Sequence, residues 1–226
     1  AIVRPVDRLM SATREGAQGN LETRIGFLGD DELGRLAVAF DAMTLRIREQ
    51  VWLKTELAAL LDDMQRVGNL KAMVQVLIQR LTPRVGGVVG VLYLANRDNG
   101  QLELQASYAF HGGRDLNARF TVGEGLVGQC ALEKRRMLLS NVPDEAIHFV
   151  SALVEGKPRH LLVHPILFGD DLLGVVEIAS FATFTDTHLA LVSELSQSLG
   201  LALENQYRAS RTEELLQETQ AQSEEL

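Results

Sequence analysis

Between Leu33 and Ile47 the large apolar residues Leu33, Leu36, Phe40, Met43 and Ile47 fall at steps of three, four, three and four. That spacing draws the narrow seam of a coiled coil, not the broad face that a helix turns toward a globular core. A helix with such a seam needs partner helices. It begins directly after the turn Gly29-Asp30-Asp31-Glu32, where Asp30 or Asp31 can cap the first free amides and the helix dipole favours Glu32.

Residues 1–18 repeat the three-four spacing with Ile2, Pro5, Leu9, Ala12 and Gly16, a proline being tolerated only near a helix start or at a kink. The two short helices are joined by GNLETRIGFLGD, whose apolar points are Leu21 and Ile25. Neither helix buries its seam by itself. At up to ~3.3 Å per residue the linker can run the height of a helix, so both helices can point the same way. An antiparallel hairpin would need only a few residues. Two copies of the chain then make a parallel bundle of four helices.

The pattern Pro5, Gly19-Asn20-Leu21, Arg24-Ile25, Asp31-Glu32-Leu33-Gly34, Leu36, Phe40 and Met43 resembles a HAMP domain over about residues 1–53. Asn20 stands where the family more often has Asp. The resemblance implies a homodimeric signal relay preceded by a transmembrane helix. It makes Pro5, Leu9, Leu21, Ile25, Glu32, Gly34, Leu36, Phe40, Met43, Ile47 and Val51 the expected relay residues.

From Leu57 the pattern broadens. Leu57, Leu60, Leu61 and Met64 continue a helix to Gly68-Asn69, and Leu70, Met73, Val74, Leu77, Ile78 and Leu81 give another with a wider apolar face. VVGVLYLA (88–95) reads as a buried strand and Asn99-Gly100 as a tight turn. LELQASY reads as a strand with Leu102, Leu104, Ala106 and Tyr108 inward. A strand near 118–122 precedes the glycine-rich GEGLVGQCALEKRR, and MLLSNV gives one more strand. A hairpin turns at Gly169-Asp170-Asp171, and a final helix is capped by Thr185 or Asp186. Helices flanking a mostly antiparallel sheet make an α+β domain.

Phe120-Thr121-Val122-Gly123-Glu124-Gly125-Leu126-Val127-Gly128, the Leu138–Pro143 strand and turn, Pro165 and Gly174-Val175-Val176-Glu177 resemble a GAF domain, a sensory relative of the PAS fold, over about 57–205. The expected chain is therefore multi-domain. An all-α, parallel four-helix-bundle dimer (1–53) precedes an α+β GAF/PAS-like sandwich with its leading helix (54–205), and a coiled-coil exit helix (206–226) follows. The seam expected for that exit is Leu195, Leu199, Ala202, Gln206, Ala209, Glu213 and Leu216.

Composition limits the chemistry. The 46% hydrophobic content supports a real core, and a net charge of −8 argues against general affinity for nucleic acid or anionic lipid. Residues 204–226 carry six acids and two bases. The single cysteine, Cys130, excludes an intramolecular disulfide and a multi-cysteine zinc site. No stretch reaches the ~20 apolar residues of a membrane span. The chain opens on AIVRPVDRL without methionine and reads as a fragment of something longer.

The five histidines, 111, 148, 160, 164 and 188, form no HExxH pair. His160 and His164 alternate on a strand and can share a side, as a metal or haem would need; with no third ligand to name, no metal site is assigned. Cys130, early in its helix, could have a lowered pKa, although a small buried thiol is the simpler reading. Bilin-attaching relatives usually place a His beside the Cys, where Ala131 stands here. The Gly123-Glu124-Gly125 turn lacks the Lys and Ser/Thr of a phosphate loop, so its expected role is to let the chain turn. By resemblance, a GAF ligand would lie between the sheet and residues 141–160. Tyr93, Cys130, Phe149, His160, His164 and Glu177 are its candidate lining, for an unknown small ligand.

Neither a phosphoacceptor His motif nor an ATP lid is present, so no catalytic residue, enzyme activity or cofactor is expected. The order HAMP, GAF, Gln/Glu-rich helix resembles the middle of a bacterial membrane-bound, two-component sensor histidine kinase, its kinase module lying downstream. The resemblance places it as the cytoplasmic portion of an inner-membrane protein. Beyond Ile47 the seam can continue through Gln50 and Lys54, or shift by four to Val51 at the cost of a stutter. Residues 47–58 are thus expected to choose between two registers. The rival expectation is a GAF pocket that senses a small molecule, HAMP serving mainly to dimerise.

Overall fold

The computed structural model describes residues 3–26, 29, 31–109, 119–142, 149–150, 155–156 and 158–224. They form two compact units, Ala1–Glu56 and Leu57–Leu226, the division falling inside one long helix.

The first unit holds α1 (Val3–Ala17) and the leading part of α2 (Glu32–Gln65). Asp31 starts α2, its Oδ1 accepting a hydrogen bond from the Gly34 amide at 2.9 Å; Asp30 lies outside the described residues. Gly34 is required by proximity, since a Cβ there would stand 1.7 Å from the Gly29 carbonyl oxygen. Small residues bring the helices together: Ala12 and Ala37 are buried with Ile25 of the connector, and Phe40 packs on them. Further along, a Cβ on Gly16 would lie 3.6 Å from the Phe40 ring. Position 12 meets 37 and position 16 meets 40, so the two helices run parallel. The connector is pinned by Asp41, which accepts from the Ile25 amide at 2.9 Å and the Gly26 amide at 3.2 Å, and by an Arg48–Glu22 ion pair at 3.0 Å.

In the second unit, Asn69 caps α3 (Leu70–Arg84) by accepting from the Ala72 amide at 2.8 Å. The strands are β1 (Val89–Ala95), β2 (Leu102–Tyr108), β3 (Arg119–Phe120), β4 (Met137–Ser140), β5 (Phe149–Val150), β6 (Glu155–Gly156), β7 (His160–Phe168) and β8 (Asp171–Ser180). The helices α4 (Gly125–Glu133) and α5 (Asp186–Glu224) complete it. Six strands form one antiparallel sheet in the order β3-β2-β1-β8-β7-β4, and β5-β6 make a separate small hairpin.

One sheet face packs on α3 and α5, where Leu92, Ile166 and Val176 meet Leu77, Leu81, Leu195 and Leu199. On the other face Val91, Tyr93, Val163, Val175 and Ala179 meet Val127, Cys130 and Ala131 of α4. Thr185 starts α5, its Oγ1 accepting from the His188 amide at 3.2 Å.

Three expectations change. The β1–β2 register shifts at Leu92/Tyr93, so that Tyr93 faces Leu104 while Leu92 faces Ala106. This bulge turns Leu102 and Leu104 to the α4 side and Ala106 and Tyr108 to the α3 side; the four do not share one face. The β1–β2 connection is not a two-residue turn at Asn99-Gly100. It runs from Asn96 to Gln101, closed by hydrogen bonds from the Gly100 amide to the Asn96 oxygen and from the Asn96 amide to the Gln101 oxygen, both 2.8 Å. Leu195 and Leu199 lie against the sheet, only 1% exposed each, so they are not part of an exit seam. A sheet offers them apolar contact nearer than any second chain.

Candidate functional site

The α4 face of the sheet is the candidate site of the second unit. Glu177 sits on β8, opposite Val91 of β1 and Val163 of β7, between Val175 and Ala179 on its own strand. Alternation along the strands puts its side chain on the same face as Tyr93, under the helix that carries Cys130. Glu177 keeps a rim of its surface to solvent, but its surroundings are apolar, and burial pushes its carboxyl up from 4.5 to about 7. Among the described residues no hydrogen bond or ion pair holds it. Its charge in turn acts on both neighbours. Burial first, then Glu177, raises the Tyr93 hydroxyl; burial, Glu133 and Glu177 push the Cys130 thiol up to about 12.

Cys130 lies in the second half of a nine-residue helix, where the N-terminal dipole is too far to lower its pKa. Its Sγ donates to the Arg135 carbonyl at 3.2 Å, and the side chain is fully buried. That geometry belongs to an inert thiol. Tyr93 stacks edge-on against Phe120, ring centroids 5.3 Å apart.

The six expected lining residues do not converge. His160 pairs with Ser180 and His164 with Val176, which places both on the α5 side of the sheet, opposite Tyr93, Cys130 and Glu177. The two histidines do share a side, and burial lowers the His164 pKa, its Nδ1 lying 2.8 Å from the Pro165 oxygen. The side chain of Phe149 lies outside the described residues, as do His111, His148 and most of 141–160. Among the described residues no group of three or more His, Cys, Asp and Glu could hold a metal. The Gly123-Glu124-Gly125 turn spends its amides on itself: Gly123 donates to the Gly128 oxygen at 2.7 Å and Glu124 to the Thr121 oxygen at 2.9 Å. It offers no free cradle for a phosphate through those two groups.

In the first unit the expected relay residues divide by role. Gly34 and Ile25 are buried, Phe40 and Leu21 are half-buried, and Glu32 is exposed. Leu36, Met43, Ile47 and Val51 are 50, 51, 37 and 53% exposed in the single chain. The side chains of Pro5 and Leu9 lie outside the described residues.

The sequence pattern missed two devices. Asp41 on α2 ties down the connector, and Arg97, Glu204, Tyr207 and Arg208 form a cluster where α5 leaves the sheet. The first joins a carboxylate to backbone amides 15 and 16 residues away and the second joins Arg97 to Glu204, 107 residues on, which no local periodicity reveals.

Residues 1–49 match the model of the HAMP domain, and residues 68–204 that of the GAF domain. No curated protein matches the chain. Among solved structures, the GAF domain of a phosphoenolpyruvate-protein phosphotransferase from Coxiella burnetii superposes with a TM-score of 0.59 at 20% identity, covering 71% of this chain and 96% of that one. The corresponding Acinetobacter domain gives 0.58 at 16% identity, covering 68% and 93%. A free methionine-R-sulfoxide reductase from Neisseria meningitidis, in complex with its substrate, gives 0.50 at 20% identity, covering 73% and 90%. At these identities the likeness is one of fold. The fold, the glycine-rich lead into α4 and the family matches converge: this chain belongs to the GAF domain family, carries a HAMP domain ahead of its GAF domain, and is a signal-transduction and sensing module.

Proposed function

We propose that the chain is the dimeric relay segment of a transmembrane two-component sensor, passing conformational change from the membrane through HAMP (1–53) and GAF (54–205) along an exit helix (206–226) to a downstream kinase module. The observation that carries this reading is the row Leu36, Met43, Ile47 and Val51, which stays exposed after α1, the connector and α2 have packed. Four large apolar side chains in a row at helical spacing mark a surface that another helix covers. A second copy supplies that helix at the same height. α2 runs unbroken from Glu32 to Gln65, and both Gln50 and Val51 are exposed, so contacts within one chain favour neither register. A switch between two arrangements needs such near-equality.

Sedimentation equilibrium of the full chain tests the proposal. A dimer that dissociates in the Leu36→Asp, Met43→Asp double variant supports it; a wild-type monomer at high micromolar concentration ends it. A second reading, in which the GAF domain senses a small molecule and HAMP mainly dimerises, is favoured by one observation, the Glu177 carboxyl beneath α4, which has no hydrogen bond or ion pair among the described residues. Native mass spectrometry distinguishes it by the mass of a retained ligand.

A further inference from the structure

Among the described residues Glu204 is the last buried one of α5; from residue 205 to 213 every residue is exposed. At this departure point one carboxylate receives two guanidinium groups. Arg97, from the β1–β2 loop, donates to Oε2 in a short contact, and Arg208, one turn further along α5, donates to Oε1 at 2.7 Å. Each arginine is also seated on a ring. The Arg97 guanidinium carbon lies 3.8 Å from the centre of Tyr207, and that of Arg208 lies 5.5 Å from the centre of Phe168, at the end of β7. The arginines hold the Glu204 carboxyl below the ordinary range, Arg208 first and Arg97 second. Two hairpins of the sheet thus converge on one turn of the exit helix.

The loop that presents Arg97 is itself ordered. The Asn96 Oδ1 accepts from the Asp98 amide at 2.9 Å, and its Nδ2 donates to Glu103 at 3.3 Å. Arg97 also lies two residues beyond the end of the strand whose Val91 and Tyr93 line the face shared with Glu177. Arg97 thus joins the β1–β2 loop directly to the exit helix, beyond the Leu92 contact that β1 makes with Leu195 and Leu199. A planar, forked cation stacked on an aromatic ring fixes direction as well as distance, which an ammonium does not.

We propose that Arg97, Glu204, Tyr207, Arg208 and Phe168 form a latch that sets the direction and rotation in which α5 leaves the sheet, and that Arg97 is the element through which movement of the β1–β2 loop is passed to that helix. The purpose of the latch rests on the relay reading above; its existence does not.

The test places spin labels at Asp171→Cys and Gln217→Cys in the full chain, diluted with unlabelled protein so that only distances within one chain are read. Buried Cys130 stays unlabelled. The expected result is a narrow distance distribution that broadens at least twofold in Arg97→Ala and less in Arg97→Lys, while Arg66→Ala, which removes only an exposed pair with Asp62, changes nothing. The loop variant Asn96→Ala is expected to broaden the distribution when Arg97 is present and to add nothing in the Arg97→Ala background. An unchanged width in Arg97→Ala overturns the latch. Equal broadening by Asn96→Ala in both backgrounds overturns transmission through Arg97. Dilution restricts the readout to distances within one chain, and sedimentation equilibrium of the same sample reports the oligomeric state separately, so failure of the relay reading is told apart.

Discussion

Replacing Glu177 by Gln should make the protein more stable at pH 8 than at pH 5, relative to wild type. Glu177 has its carboxyl raised from 4.5 to about 7 by burial alone. Below pH 4.5 both folded and unfolded chains carry the proton and nothing is lost. Between 4.5 and 7 the folded chain keeps the proton that the unfolded chain releases, so stability falls as pH rises, at ~1.4 kcal/mol per pH unit. Above 7 the loss is complete and constant. The full interval amounts to about 3 kcal/mol, and the solvent reaching the rim of this carboxyl trims the part lost between pH 5 and 8 to about 2 kcal/mol. Glutamine has the same shape and no charge to bury, so its own cost does not change with pH. Urea unfolding of wild type and Glu177→Gln, followed by far-ultraviolet circular dichroism at pH 5, 6, 7 and 8, gives the difference at each pH, in which other titrating groups cancel. The variant should gain about 2 kcal/mol on wild type across the range. Parallel profiles would show that the folded protein leaves the Glu177 carboxyl at its ordinary pKa, and a variant that loses ground as pH rises would show that it stabilises the anion; either result refutes the isolation of Glu177.

Three further outcomes follow from contacts described above. Gly34→Ala forces a Cβ to within 1.7 Å of the Gly29 oxygen; it should destabilise the α1–α2 pair by about 2 kcal/mol or more, seen as lost amide protection at Ile25 and Gly26 while β8 is unaffected. Cys130, its thiol pushed up to about 12, should resist an aromatic disulfide reagent at pH 8 and react only in urea; fast reaction of the native chain contradicts its placement. If the chain is the relay proposed above, deleting four residues between Ile47 and Leu57 should lock the output of the full-length sensor, whereas deleting seven, which restores the seam, should not; equal output from both argues against register control.

Much of the fold was legible because it is written in local periodicity. The seam from Leu33 to Ile47, the cap at Asp31 and the strand at 89–95 each follow from spacing within one or two turns of chain. The bulge at Leu92/Tyr93 was not legible: alternation in LELQASY is perfect, and only pairing with β1 shows where it breaks. Leu195 and Leu199 misled for a related reason. A helix that packs on a sheet and then projects beyond it carries two consecutive faces, and one continuous three-four count cannot separate them. At the site, Tyr93, Cys130 and Glu177 come to one side because their elements do, while His160 and His164, only a few residues from β8 in sequence, go to the other by strand parity. The Arg97–Glu204 contact joins residues 107 apart, and each charge taken alone looks like an ordinary solvated side chain.

The central claim is that two copies lie parallel and in register along α2, and a single cysteine at Met43 tests it most directly. Met43 is 51% exposed on the seam, and with Cys130 buried the Met43→Cys chain should convert under mild oxidation to a disulfide-linked dimer, while Glu49→Cys, exposed on the opposite face of α2, should not. A Met43→Cys chain that stays monomeric under the same oxidant, or that crosslinks no faster than Glu49→Cys, contradicts it.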